Sequence, residues 1–134
     1  MSESSILLDT CSLIVYLFED ALPKTSNDLV SNTPDVYVSV VSLWEIAIKK
    51  SIGKLEVECS IVDIANECEK IGIKLLHLMP EHMDYVIKLP FIHKDPFDRI
   101  IMSQAIVERM SLISEDQAIL PYQEAVDGLH IIWK

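Results

Sequence analysis

Short apolar runs recur along the chain, each closed by a polar break and most followed by apolar residues at helical spacing. Residues 5–8 (SILL) read as a buried strand ending at Asp9, and LIVYLF then supplies an apolar helix face as far as the turn at Leu22-Pro23. Residues 24–32 predict a second helix, closed by the Asn32-Thr33-Pro34 breaker. VYVSV at 36–40 alternates and is β-branched enough for a strand. The next helix is expected to begin at Ser42, to carry Leu43, Ile46 and Ala47 on its apolar face, and to stop at Gly53. A helix over 60–71 closed by Gly72, a strand IKLLHL, and a short helix from Pro80 to about Leu89 follow. After Asp95-Pro96 a long helix is predicted as far as Met110, with SLIS and LHIIW as two further strands. A repeating strand–helix order calls for a parallel sheet with helices on both faces, joined by right-handed crossovers.

Four acids stand where this pattern has consequences. Asp9, Glu45, Asp98 and Asp116 each follow directly on a short apolar stretch, in SILLD, VYVSVVSLWE, DPFD and SLISED. If those stretches belong to one parallel sheet, the carboxylates emerge together at its carboxyl edge, where open α/β sheets place their ligands. Each acid also has a purely structural explanation. Glu45 sits three residues after Ser42 and Asp98 three after Asp95, with Pro96 at a first helical position; both fit helix starts. Asp9 fits an N-cap, and Asp116 follows Ser114 in a polar turn. Four independent caps have no reason to be acidic at one edge, whereas a two-metal phosphodiester site needs hard oxygen ligands from several strands. Cap and ligand are compatible, because a carboxylate held by first-turn N–H groups is preorganised for a cation. Like charges brought this close demand either raised pKa values or bound divalent metal.

Length, charge and cysteine content then narrow the class. At 134 residues, half of them hydrophobic, the chain suits one domain spanning 1–134. No apolar run approaches the roughly 20 residues that span a bilayer, and MSESS lacks the basic region of a signal peptide. A cytoplasmic protein with no membrane partner is the expectation. Cys11, Cys59 and Cys68 are odd in number and form no CxxC pair, which argues for reduced thiols rather than a disulfide framework or zinc ribbon. A formal charge of −10 disfavours nonspecific polyanion binding and suits a basic protein partner. The objection to a nucleic-acid substrate softens because four of the negative charges lie in the proposed metal site. Lys49, Lys50 and Lys54, with His93 and Lys94, are the candidate RNA contacts, although a solvated helix face is the simpler reading of the first three.

The motifs LLDT at 7–10, SVVSLWEIAIKKSIGKL at 39–55, HKDPFDRIIMSQA at 93–105 and SEDQAI at 114–119 closely resemble the PIN domain, and within it the VapC-type toxins of bacterial type II toxin–antitoxin pairs. The second and third are long and specific, and the likeness extends to the terminal run LHIIW. It implies a three-layer α/β/α sandwich around a central parallel sheet and a Mg²⁺- or Mn²⁺-dependent endoribonuclease. The family's four active-site acids map onto Asp9, Glu45, Asp98 and Asp116. Thr10 and Ser114 match small hydroxyl positions beside the first and last acids, where they can orient carboxylates or water. Cys11 stands where relatives often have histidine or serine, and Ser114 where threonine is common. The resemblance further implies a cognate antitoxin and a homodimer, with Leu13, Tyr16, Leu17 and Phe18 a candidate interface.

The remaining polar residues are given more ordinary places. Asp95 reads as a helix cap that supports the ligands without contacting metal. Arg99 is expected to pair with a site carboxylate, with phosphate contact as the alternative. His77 and His130 are expected in the core or at strand edges, His82 on an exposed helix, and Trp44 and Trp133 in packing roles. A non-catalytic PIN fold that binds RNA or protein is the competing function, opposed by the intact acids. A receiver-type or haloacid-dehalogenase-type phosphotransfer domain is disfavoured, since LLDTC has neither an adjacent acid nor a DxD pair.

Overall fold

A computed structural model of the chain describes residues 5–134. The segment MSES, part of the reading against a signal peptide, lies outside them. Five parallel strands form one sheet in the order β3-β2-β1-β4-β5. They are β1 (Ile6–Leu8), β2 (Val36–Ser39), β3 (Lys74–Leu76), β4 (Ser111–Ile113) and β5 (Ile131–Ile132). Strand β1 occupies the centre, with Leu8 opposite Val38 on one side and Ile113 on the other, and all three of its residues are buried. Such a strand has no polar face to show, which is why it reads as an unbroken apolar run.

Successive side chains of a strand point to opposite faces, so β1 feeds two cores. Ile6 and Leu8 pack with Leu13, Val38, Leu43, Ile46, Ile64 and Cys68. Leu7 packs with Val41, Ile101, Met102, Ala105, Leu112 and Tyr122. The first core is closed by α1 (Thr10–Ile14), α3 (Val40–Ser51) and α4 (Ile61–Lys70), the second by α6 (Pro96–Glu108) and α7 (Tyr122–Ala125). Helix α2 (Lys24–Asn32) leads into β2, and α5 (Pro80–Lys88) packs along α6. The result is the α/β/α layering that the sequence pattern calls for. No helix among the described residues is long and apolar enough to cross a membrane.

Local chemistry sets the helix starts. Ser60 and Asp63 form a reciprocal capping box at α4. Asp95 caps α6, accepting from the N–H groups of Phe97 and Asp98, while Pro96 at the first position has no N–H to leave unsatisfied. Helix α3 departs from expectation. It begins at Val40, capped by Ser39, whose hydroxyl accepts from the Val41 N–H at 3.0 Å. The chain passes from β2 into α3 without a loop, so Ser42 lies inside the helix and Glu45 projects from its second turn rather than closing a capping box.

Three side chains also differ from their sequence reading. His82 is fully buried: Nδ1 accepts from the Met79 N–H at 3.0 Å, and Nε2 lies 2.8 Å from Glu108 Oε2 on α6. Trp44 is 62% exposed and touches Phe97 edge-to-face, at 5.3 Å between ring centroids. Leu13 belongs to the core, leaving Tyr16 and Leu17 half-buried and Phe18 exposed on that helical surface. His77 and His130 are exposed where β3 ends and just before β5 begins.

Candidate active site

Every strand of a parallel sheet ends on the same side, and the acids collect there. Asp9 follows β1 and caps α1, its Oδ1 accepting from the Ser12 N–H at 2.8 Å. Asp116 follows β4 and caps the 3-10 turn Gln117–Ile119, accepting from the Ala118 N–H at 2.9 Å. Asp98 stands in the first turn of α6, and Glu45 reaches in from α3. All four line a single cleft of about 720 Å³, together with Thr10, Cys11, Lys49, Lys54, Asp95 and Glu115.

Burial and mutual charge shape this cleft. Asp9 is 6% exposed, and desolvation raises its pKa against the lowering effect of hydrogen bonds from Ser114 and Ser12; the Asp116 charge raises it further. Asp98 is pushed up to about 6, again by desolvation first, with a hydrogen bond from His93 opposing and the charges of Asp95, Asp116 and Asp9 adding to the rise. Glu45 has found other partners: Lys49 Nζ lies 2.8 Å from Oε2, and Thr10 Oγ1 lies 2.6 Å from Oε1 and 2.9 Å from Ser42 Oγ. The Lys49 ammonium is correspondingly held above its usual range by the Glu45 hydrogen bond.

These residues fit a divalent cation. The donor set is hard oxygen, of the kind Mg²⁺ and Mn²⁺ take. Two of its carboxyls carry a cost of ionisation that a cation would remove. Among the described residues His93, Asp98 and Asp116 form a group of ligand-capable side chains with one atom of each within 4.8 Å of the others. His93 Nε2 lies 2.8 Å from Asp98 Oδ2 and 3.8 Å from Asp116 Oδ2.

Residues 6–124 match the family described as the PIN domain. The chain belongs to the PIN domain family. No curated protein sequence matches it. Among solved structures this PIN domain resembles a chain of VapBC2 from Rickettsia felis bound to a promoter DNA fragment, with a TM-score of 0.66 and 13% identity over 96% of this chain and 98% of the other. DNA-bound VapBC from Salmonella typhimurium gives a TM-score of 0.63 and 16% identity over 96% of each chain. VapBC-5 from Mycobacterium tuberculosis gives 0.61 and 17% over 98% and 99%. Likeness at this level of identity is likeness of fold.

Within the PIN domain the other singled-out residues divide sharply. Asp95 lines the cleft while spending one carboxylate oxygen on the α6 N-terminus. Ser114 is buried beside Asp9, and its hydroxyl accepts from the Asp116 N–H at 3.1 Å. Arg99 pairs with no carboxylate among the described residues. Its guanidinium is buried and donates to the carbonyls of Val86, Leu89, Pro90 and His93 and to the Tyr122 hydroxyl. One residue along a helix turns the side chain by about 100°, so Arg99 points away from the acids that Asp98 faces.

The basic residues separate in the same way. Lys49 and Lys54 line the acidic cleft of the PIN domain. Lys50 instead donates to the Cys59 carbonyl, and Lys94 lines a separate pocket with Met83, Phe91 and Ile100. Neither belongs to the cleft. Glu115, which the sequence reading passed over, lies in the cleft wall and accepts from Cys11 Sγ at 3.2 Å. Its place beside Asp116 in SED was the available signal. Although Cys11 is exposed, partial desolvation in the cleft wall and its acidic neighbours push the thiol up to about 12, which leaves it a poor nucleophile.

Proposed function

We propose that this PIN domain is a metal-dependent endoribonuclease and the toxin of a type II toxin–antitoxin pair, cutting RNA phosphodiester bonds at Asp9, Glu45, Asp98 and Asp116. The observation that carries this reading is the delivery of four carboxylates from four separate segments into one open cleft. Family membership and the VapBC identity of the similar structures support it. Asp9, Glu45, Asp98 and Asp116 would hold Mg²⁺ or Mn²⁺, with Thr10 and Ser114 orienting Glu45 and Asp9. When bound, the cation acidifies water for in-line attack on phosphorus and offsets charge on the leaving oxygen.

The chain's own residues supply the rest. No side chain serves as a covalent nucleophile. A site carboxylate would take the proton released by the attacking water. Lys49 and Lys54 offer ammonium groups to the RNA backbone in a protein otherwise too acidic to attract it. The net charge of −10 suits a basic antitoxin segment covering the same cleft. Homodimerisation is assigned to the surface bearing Tyr16, Leu17 and Phe18, and the cytoplasm is the expected compartment.

Thermal melts of wild type and Asp98→Asn with and without Mn²⁺ test the metal site independently of the RNA target. Mn²⁺ should raise the wild-type Tm through mass action and leave the variant unmoved. Cleavage of cellular RNA should be lost in the variant while its fold is retained. A wild-type protein indifferent to Mn²⁺ would favour the non-catalytic binding module instead.

A further inference from the structure

The loop that carries His93 is held with unusual care. Tyr122, fully buried, accepts from the N–H groups of Ile92 at 3.0 Å and His93 at 2.8 Å and donates to the Pro90 carbonyl at 2.7 Å. Arg99 donates to the Leu89, Pro90 and His93 carbonyls from the other side, and its Nη1 lies 3.1 Å from the Tyr122 hydroxyl. A buried guanidinium without a carboxylate is costly. Here it is tolerated in a position that joins the 89–93 backbone to α6, the helix that carries Asp98. Loop and acid are thereby fixed relative to one another. The side chain so placed is an imidazole whose Nε2 lies 2.8 Å from Asp98 Oδ2 and 3.8 Å from Asp116 Oδ2.

We propose that His93 supplies a nitrogen ligand to the cation, making this a mixed nitrogen–oxygen site, with Arg99 and Tyr122 as its positioning residues. The inference rests on the metal-site reading above and adds a donor of different chemistry to it. His93, Asp98 and Asp116 already place one ligand atom each within 4.8 Å of the others, a spacing that a single ion can span. To ligate, His93 would give up its hydrogen bond to Asp98 and present the Nε2 lone pair, with the ring proton held on Nδ1. Imidazole favours Mn²⁺, Co²⁺ and their neighbours over Mg²⁺, which prefers oxygen and keeps its waters. The consequence is a bias in ion choice that the four acids alone would not produce.

Pulsed electron paramagnetic resonance on the Mn²⁺-loaded protein reads this directly. Coordinated imidazole should appear as a ¹⁴N coupling in wild type that is absent in His93→Gln, while both proteins still bind Mn²⁺. Competition titrations should show Co²⁺ affinity falling on the order of tenfold in His93→Gln and Mg²⁺ affinity hardly changing. In Tyr122→Phe, which keeps the imidazole but loosens its loop, the coupling should weaken or broaden. Mn²⁺ bound at Asp98 without any ¹⁴N coupling, or with a coupling that persists in His93→Gln, overturns the proposal and leaves the acid site standing. No Mn²⁺ binding to wild type overturns both.

Discussion

Replacing Asp98 by Asn removes one negative charge from a crowded cleft and should make the metal-free protein more stable. Its pKa is raised from 3.8 to about 6 by desolvation first and then by neighbouring acids. Two pK units correspond to about 3 kcal/mol; since the side chain is 23% exposed, solvent screening reduces this to about 1–2 kcal/mol. Ionised Asp98 is disfavoured in the fold, so wild type carries the full cost above pH 6 and none below 3.8, where the group is protonated in both states. The asparagine amide can still accept from His93, so little is lost in exchange. Urea unfolding in EDTA should therefore find the variant more stable by about 1–2 kcal/mol at pH 7.5, with that gain shrinking to about a third at pH 4.5. A variant less stable than wild type at pH 7.5, or a gain that does not change with pH, would refute the electrostatic reasoning and leave Asp98 a structural helix-start residue.

Tyr122→Phe should cost about 2 kcal/mol, because the His93 N–H loses its acceptor while Ile92 N and the Pro90 carbonyl keep other partners; equilibrium urea melts with an unchanged m-value are the check. Lys49→Met should tighten Mn²⁺ binding by about threefold in calorimetric titration, since the half-exposed ammonium at 2.8 Å competes for Glu45. Weaker binding would mean that Lys49 instead orients Glu45 for the ion. His82→Leu should destabilise by about 1–2 kcal/mol, because the Met79 N–H loses its acceptor and the part-exposed Glu108 carboxylate its partner; a loss below about 0.5 kcal/mol would show that water replaces both contacts.

The layered architecture was legible in the sequence because it follows from local and periodic rules. Ile6–Leu8 had to be a buried strand, being apolar throughout and bounded by polar residues. Lys24–Asn32 and Pro80–Lys88 are delimited by proline and by polar breakers, and Asp95-Pro96 could hardly be anything but a helix start. Two of the acids could be picked out for a related reason: parallel strands share one end, so Asp9 and Asp116, placed after β1 and β4, arrive at the same edge. Asp98 and Glu45 follow no strand directly; they reach the cleft from the first turn of α6 and the second turn of α3, which the apolar runs before them did not reveal.

Tertiary structure decided everything that depends on which way a side chain turns. Arg99 and Asp98 are neighbours in sequence, yet the helical turn sends one into carbonyls of the 89–93 loop and the other into the cleft. Lys49 and Lys50 part in the same way, one to Glu45 and the other to the Cys59 backbone. His82 looked solvated from its polar neighbours and is buried because α5 lays that face on α6. Periodicity along the chain establishes that an element has an inward face. Which partner waits there, and whether His93 meets Asp98 and Asp116, is fixed only when segments distant in sequence pack together and buried polar groups must find partners.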